Sequence, residues 1–498
     1  MSVQATYVLE VDWNGDGLFA HANAAITADT LSIRTRRGRD YASMLTGRAS
    51  AGTLQASLYN RAGIYSPSLS TSPLYGLVLP GRKVRLRTTA PSAVTLWTGF
   101  LDRIEPAVAP GPWNSATLYA SGPFTLLQQA HVNPARNSGA LTGTIVSAIL
   151  TAAGWSGSSV EAGQTTTGPW YVDDKQALNA LREMEETEMG FLYEGLAFDV
   201  VYEDRHHRWV TAASLTSQAT YSDAASPTLP YVGITELDPL REIFNVVQAE
   251  VQNYSTAALA VLWTLTGETP TLAPGESRTW WAGYPSDASG GSAGAYVDAW
   301  TTPVVGTDIT QTGVANGDIG VAVSKFAQSM KITITNNNAT AVATLTLLQA
   351  RGTAVSKGTP TRIDASDSTS QGKYGVRTYK LPALFLANTN DAQAFASYLV
   401  SRYKDPLAVL SVTLAANRDS AAMTEALTRA ISDRITVVAQ NKALLGISQD
   451  AYVEAISHVI DMGKMRMMTT FDLSPASGDG AYWVLNTSAL GTTTKVGY

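Results

Sequence analysis

A two-residue rhythm runs through the first 120 residues, and it constrains the fold more than any other feature of the chain. Tyr7-Val-Leu-Glu-Val11, Thr53-Leu-Gln-Ala-Ser-Leu-Tyr59, Lys83-Val-Arg-Leu-Arg87, Thr95-Leu-Trp-Thr-Gly-Phe-Leu101 and Ala116-Thr-Leu-Tyr-Ala120 alternate apolar and polar residues. That is the pattern of strands with one buried face. Asn14-Gly-Asp-Gly17 and Pro80-Gly81 punctuate them with turn chemistry. Short strands between such turns predict a sandwich or a barrel.

From 124 to 228 the period becomes helical. Phe124-Thr-Leu-Leu127 and Thr142 to Leu150 place apolar residues at helical spacing. Asp173 to Glu188 predicts a helix with Asp173 or Asp174 as N-cap, Ala177, Leu178, Leu181 and Met184 on one face, and Gly190 as its stop. Phe191-Leu-Tyr193 and Asp199-Val-Val-Tyr202 predict a hairpin. Residues 229–251, together with 356–478, read as a second β-domain that carries helices at Asp391 to Lys404 and Ser420 to Ile431. The block 252–355 between them reads as an inserted β-sandwich with Gly/Ser-rich loops. Pro360 to Tyr374 reads as a polar passage, and 479–498 as a polar tail. The expected fold class is mainly β with α+β segments: two tube-like β-barrel or sandwich domains (1–123, and 229–251 plus 356–478) flank a small α+β domain (124–228), with a sandwich inserted.

The first domain and the chain's end echo each other. Gly81-Arg-Lys-Val-Arg-Leu86, Trp97 to Ile104 and Ser115 to Pro123 correspond to Ser432-Asp-Arg-Ile-Thr-Val437, Tyr452 to Ile460 and Arg466 to Pro475. Both a duplicated domain and two ordinary three-stranded meanders fit this pattern.

Few motifs carry chemistry. Asp12-Trp-Asn-Gly-Asp-Gly17 fits the opening of a calcium loop, with Asp12, Asn14 and Asp16 as candidate ligands. The twelfth position is Asn23, and a tight Asx turn is the alternative. Gly290-Gly-Ser-Ala-Gly294 satisfies G-x-S-x-G, yet its flanks are those of a loop. Glu203-Asp-Arg-His-His-Arg208 reads as a solvated hairpin edge, with the two His on opposite faces. Arg34, Arg36, Arg37, Arg39 and Arg48 form a basic cluster suited to phosphate or, preferentially, to acidic side chains of this or a neighbouring subunit. Trp280 and Trp281, with Trp263 and Trp300, are either core positions or a glycan-stacking surface in the inserted sandwich. Adjacent Trp on a strand face opposite ways, so one of the pair is a candidate for exposure.

Composition narrows the function classes. The chain of 498 residues has no Cys, which removes disulfides, zinc–thiolate sites, iron–sulfur clusters and thiol catalysis. A net charge of −6 offers nucleic acid little long-range attraction. No apolar run of about 18 residues exists for a membrane span, and the N-terminus lacks the basic and apolar regions of a secretory signal. Charged residues are 15%, against roughly a quarter in ordinary soluble domains. No paired-carboxylate, triad, P-loop or dinucleotide signature is present, so neither an enzyme nor a cofactor is expected.

Ala28 to Asn60 (ADTLSIRTRRGRDYASMLTGRASAGTLQASLYN), Gly63-Ile-Tyr-Ser-Pro67, Ser72-Pro-Leu-Tyr-Gly76, Pro80 to Leu86 and Leu96 to Ile104 resemble tail proteins of long-tailed bacteriophages. Ala177 to Arg205 is similar to the second domain of phage tail hubs, and Ala392 to Pro475 to their later hub domain. The resemblance implies a homotrimer in which two tube-like β-domains per subunit form a pseudo-sixfold ring. Such a ring joins the tail tube or distal tail protein to the tip and fibre proteins at the baseplate hub, takes part in host attachment and DNA delivery, and belongs to the virion after synthesis in the host cytoplasm. It implies no catalytic residue and no sequence-specific nucleic-acid partner. The inserted sandwich lies outside the resemblance, and a cell-surface glycan or receptor is its alternative partner.

Overall fold

The computed structural model describes residues 3–39, 48–107, 114–134, 139–172, 174–224, 229–237, 243–283, 296–297, 299–386, 389–406 and 408–476. Its centre is a 12-stranded sheet. The first six strands are β1 (Thr6–Val11), β2 (Thr30–Gly38), β3 (Thr53–Tyr59), β4 (Lys83–Ala90), β5 (Thr95–Ala107) and β6 (Ser115–Ser121). The second six are β7 (Thr220–Ser222), β8 (Gly233–Leu237), β9 (Val409–Ala415), β10 (Arg434–Ala439), β11 (Ile447–Asp461) and β12 (Arg466–Pro475). The alternation places these strands as expected: β4 buries Val84 and Leu86 while Lys83, Arg85 and Arg87 stay partly exposed.

The two halves share one topology. The first runs β1-β4-β5-β6-β3-β2, and the second runs β7-β10-β11-β12-β9-β8. Every strand thus has a counterpart six places later, and the echo in the sequence is a repeated strand order. One departure is visible, since β1 pairs antiparallel with β4 whereas β7 runs parallel to β10. The halves meet where β2 pairs antiparallel with β11, from Ser32 opposite Asp461 to Gly38 opposite Ala455. The two expected β-domains are therefore one continuous sheet. The core of the first half, around Trp13, Trp97 and Leu118, also takes in Met423 and Leu427 of the helix Ser420–Thr428 together with Ile460 and Met467.

The α+β unit packs α1 (Pro123–Gln129), α2 (Thr142–Ala152) and α3 (Ala177–Glu188) with the hairpin Phe191–Glu194 and Val200–Glu203. Two details of α3 differ from expectation. It starts at Ala177, because Lys175–Gln176 form a short strand against His131–Val132; Asp173 lies outside the described residues. Its end is Met189, which takes the left-handed conformation itself at φ 55°. Gly190 serves close approach instead, since a Cβ there would sit 2.4 Å from the carbonyl oxygen of Glu203.

The inserted sandwich is present. One sheet holds Tyr254–Thr264, Thr271–Leu272, Tyr296–Val297, Ile309–Thr312 and Ala343–Lys357; the other holds Ser277–Gly283, Ser329–Asn336 and Ile319–Lys325. Trp300, Ile309, Met330, Ile332, Ile334 and Leu348 lie between them. The passage Pro360 to Tyr374 is ordered rather than irregular. Thr361–Ser366 pairs with Val246–Val251, which also pairs with Thr378–Leu384, and the helix Ser368–Tyr374 is capped by Asp367. With the helix Thr389–Tyr403 these strands build a separate core around Val247, Phe395 and Leu399. That core divides the stretch expected to belong wholly to the second β-domain. Among the described residues no helix is long and apolar enough to cross a membrane.

Candidate assembly surfaces

The seam between β2 and β11 gathers several buried charged groups, among them Arg37, Arg208, Glu454 and Asp472. Gly38 lies at its end with φ +110°, and a Cβ there would sit 2.3 Å from the Glu454 carbonyl oxygen. The next amide, of Arg39, donates to that same oxygen at 2.8 Å. Glu454 is the extra residue of a bulge, because the β11–β12 register slips between Val453 and Ala455. Its carboxylate receives both terminal nitrogens of Arg208, at 2.6 and 3.0 Å, and the Ser474 hydroxyl at 2.6 Å. Arg39 stands 3.6 Å away. Burial alone would raise the Glu454 carboxyl, but the Arg208 and Arg39 guanidiniums override it and hold it at about 2.

Glu203-Asp-Arg-His-His-Arg208 therefore corrects the expectation of a solvated edge. The strand ends at Glu203, and His207–Val210 is a single helical turn that turns Arg208 inward. There Arg208 lies over the Phe191 ring at 3.9 Å and the Tyr452 ring at 4.7 Å. Glu203 is buried, which raises its carboxyl, and it accepts from the Ser432 and Tyr193 hydroxyls at 2.6 and 2.5 Å. His207 bridges Glu161 at 2.6 Å and Glu203 at 3.3 Å. The spacing of this run holds no hint of the fold, because its partners Ser432 and Glu454 come from the far end of the chain.

The basic cluster disperses onto acids. Arg36 pairs with Asp472 at 2.6 Å, Arg39 with Glu454, and Arg48 with Glu186; Arg37 is buried and Arg34 exposed. At the neighbouring junction Glu194 accepts from the Gly52 and Phe124 amides at 2.6 and 2.7 Å, the latter in the first turn of α1. Burial outweighs those bonds and pushes its carboxyl up to about 7.

The bulge recurs in the first half. The β5–β6 register slips between Leu101 and Arg103, leaving Asp102 as the extra residue, and Asp102 accepts from the Ser121 hydroxyl at 2.5 Å. Asp102 with Ser121 thus matches Glu454 with Ser474. Gly81 donates its amide to Leu101 just as Ser432 donates to Val453. Ser432 even copies the glycine's positive φ, 69° against 81°. The two halves agree down to single residues.

Asp12, Asn14 and Asp16 share one turn. The Asp12 oxygens accept from the Gly15 and Gly17 amides at 3.0 and 2.7 Å, and Asp16 accepts from Leu18 at 2.8 Å. The carboxylates are thereby turned on the loop's own N–H groups, as in an Asx turn. Among the described residues no group of three or more His, Cys, Asp or Glu is arranged to hold a metal. The sequence Gly290 to Gly294 lies outside the described residues.

In the inserted sandwich the two tryptophans part as strand parity requires. Trp280 packs against the core and donates to Glu268 at 3.1 Å, whereas Trp281 is 57% exposed and stacks on Phe326 with ring centroids 5.6 Å apart. On the same outer face Ser277 bonds Thr335 at 2.7 Å, Thr279 bonds Thr333 at 2.9 Å, and Trp281 stands opposite Lys331. Trp263 lines the core and Trp300 is buried within it.

No protein-family model matches the sequence, and no curated protein does either. Among solved structures, the chain is similar to the tail protein from Neisseria meningitidis MC58, with a TM-score of 0.50 and 9% identity over 95% of this chain and 97% of that one. It also matches the 43 kDa tail protein of prophage MuSo2 from Shewanella oneidensis, with a TM-score of 0.49 and 11% identity over 94% and 97% of the two chains. At such identity the likeness is one of fold: over nearly its whole length, this mainly β chain is similar in architecture to a solved tail protein.

Proposed function

We propose that the protein is a structural hub of a phage tail, three copies of which close a ring that joins the tail tube to the tip apparatus. The observation that carries this reading is the repeated strand order within one chain. Two equivalent six-stranded units per subunit, taken three times, give the six positions that a sixfold tube presents to a threefold tip. Cyclic closure needs a heterologous contact from each copy to the next. The low charge content suits this role, since charge is depleted at the centre of protein interfaces. The role is one of assembly rather than catalysis, at the tail tip of the virion. Mass photometry of the purified protein tests it: the expected species has three times the 52.8 kDa chain mass, and a stable monomer under assembly conditions overturns it.

A second reading concerns the inserted sandwich alone. The exposed Trp281–Phe326 stack, beside a ladder of Ser and Thr hydroxyls, supports contact between this face and a cell-surface glycan. A glycan array tests it, with Trp281→Ala expected to abolish the signal. Trp280, turned to the core, has no part in this contact. An array on which the native chain binds nothing leaves the insert as architecture.

A further inference from the structure

The seam inside the chain has a matching, unfilled counterpart in the first half of the sheet. β10 covers β11 only as far as Tyr452, and β2 takes the edge from Ala455 onward. β5 has the same construction: β4 covers it through Phe100, and Gly81 and Arg82 bond to Leu101. Beyond the bulge at Asp102, among the described residues, Arg103 to Ala107 pair with β6 on one side and with no strand on the other. Among the described residues β8, the counterpart of β2, is the last strand of the sheet, bonded to β9 and open on its outer side. The chain thus carries one filled slot, one empty slot of the same kind, and one unused copy of the strand that fills it.

We infer that β8 of one copy pairs antiparallel with the open half of β5 in a second copy, repeating between chains the seam that β2 and β11 make within one. This rests on the ring reading above. The register follows from the repeat. Arg36 lies opposite Thr53, which lies opposite Ser121. Leu237 lies opposite Val409, the neighbour of the Leu410 that pairs with Leu473, so Val409 stands beside Ser474. Ser121 and Ser474 are the matched donors to the two bulge carboxylates, so Leu237 occupies the place of Arg36, and Thr235 that of Arg34. Within the chain Arg36 faces Ser457 and Arg34 faces Val459. Counting from the bulges, these correspond to Glu105 and Ala107. Leu237 therefore stands opposite Glu105 of the next copy, and Thr235 opposite Ala107.

Hydrogen-bond parity follows in the same way. The bond from the Arg39 amide to Glu454 makes alternate pairs along the inner seam hydrogen-bonded. Both predicted pairs fall between them, where Cα atoms of facing residues approach to roughly 4.5 Å. Pro106, at the place of His458, supplies no N–H, so the outer seam lacks one bond of the inner one. Proline on an exposed edge also restrains indiscriminate strand pairing.

The absence of native Cys gives a clean test. Thr235→Cys combined with Ala107→Cys places two thiols within disulfide reach across the seam. Mild oxidation of the full-length double variant is expected to give three-chain species on a non-reducing gel that revert with reductant, while either single variant gives none. Leu237→Cys with Glu105→Cys is a second, independent pair. A three-chain mass by photometry without cross-linking of either pair overturns this seam and leaves the ring intact. A single-chain mass overturns the ring itself.

Discussion

Arg208 and Glu454, 246 positions apart in sequence, form a two-pronged buried ion pair that ties the single helical turn after the α+β hairpin to the bulge in β11. Such a pair returns little net stability, because desolvating both charges offsets most of their attraction, but breaking it strands a buried charge.

That asymmetry gives a double-mutant cycle. Arg208→Met alone is expected to destabilise by roughly 3–5 kcal/mol. Combining it with Glu454→Leu is expected to recover part of the loss, because both members of the two-pronged pair are then gone and only the more distant Arg39 loses a partner. Urea unfolding of the four proteins measures the coupling. Additive losses would show that the two groups do not act as a pair.

Gly38→Ala attacks the seam itself. The added Cβ meets the Glu454 carbonyl at 2.3 Å, on backbone that L side chains rarely adopt. The expected cost is at least roughly 2 kcal/mol, from strain together with displaced pairing. Gly76→Ala, also at positive φ but with nothing near its Cβ, is the control for backbone strain alone. Equal melting temperatures for the two variants would refute the steric argument.

His458 makes the seam acid-sensitive. Burial, and secondarily the charge of Arg37, hold its imidazole down to about 3 from the ordinary 6.5. The unfolded chain therefore binds a proton below pH 6.5 that the folded chain refuses, and stability falls as pH drops from 6.5 toward 3. At pH 4.5 this is worth roughly 3 kcal/mol. His458→Gln, which keeps a partner for Thr469, should lose less melting temperature between pH 7 and 4.5 than the native chain. Parallel losses in the two proteins would disprove it.

Asp223 clamps the β10–β11 hairpin by accepting the amides of Gln440, Asn441, Lys442 and Ala443 at 3.2, 3.0, 2.7 and 2.8 Å. Those bonds outweigh desolvation and hold its carboxyl well below the usual range. Asp223→Asn, which keeps one acceptor oxygen, should speed hydrogen exchange of these four amides about tenfold while leaving the β11–β12 ladder unchanged. Unchanged exchange in the loop would show that the clamp is held by something else.

The strands of the first half were legible because each buries one face, so Val84 and Leu86 advertise their strand locally. The echo was legible for the same reason: Gly81 and Ser432 open equivalent strands after equivalent turns. The charged run ending at Arg208 misled because its hydrophilicity is satisfied only by Ser432 and Glu454, which no local window contains. Gly190 misled in another way, since a glycine at a helix end fits both a left-handed cap and a close backbone contact, and Met189 took the cap. Strand parity divided Trp280 from Trp281 in advance, but only the packing of the second sheet decided which of them faced out.

The pairing of β2 with β11 also has a consequence in time. Gly38 meets Ala455, more than 400 positions later in the chain. At a synthesis rate of about 5–20 residues per second, the first half waits on the order of 20–80 s beside the ribosome before its partner strand emerges. During that interval the open side of β2 is a template for pairing with any neighbouring nascent chain. The polysome, rather than the finished particle, is where this protein is most exposed to misassembly.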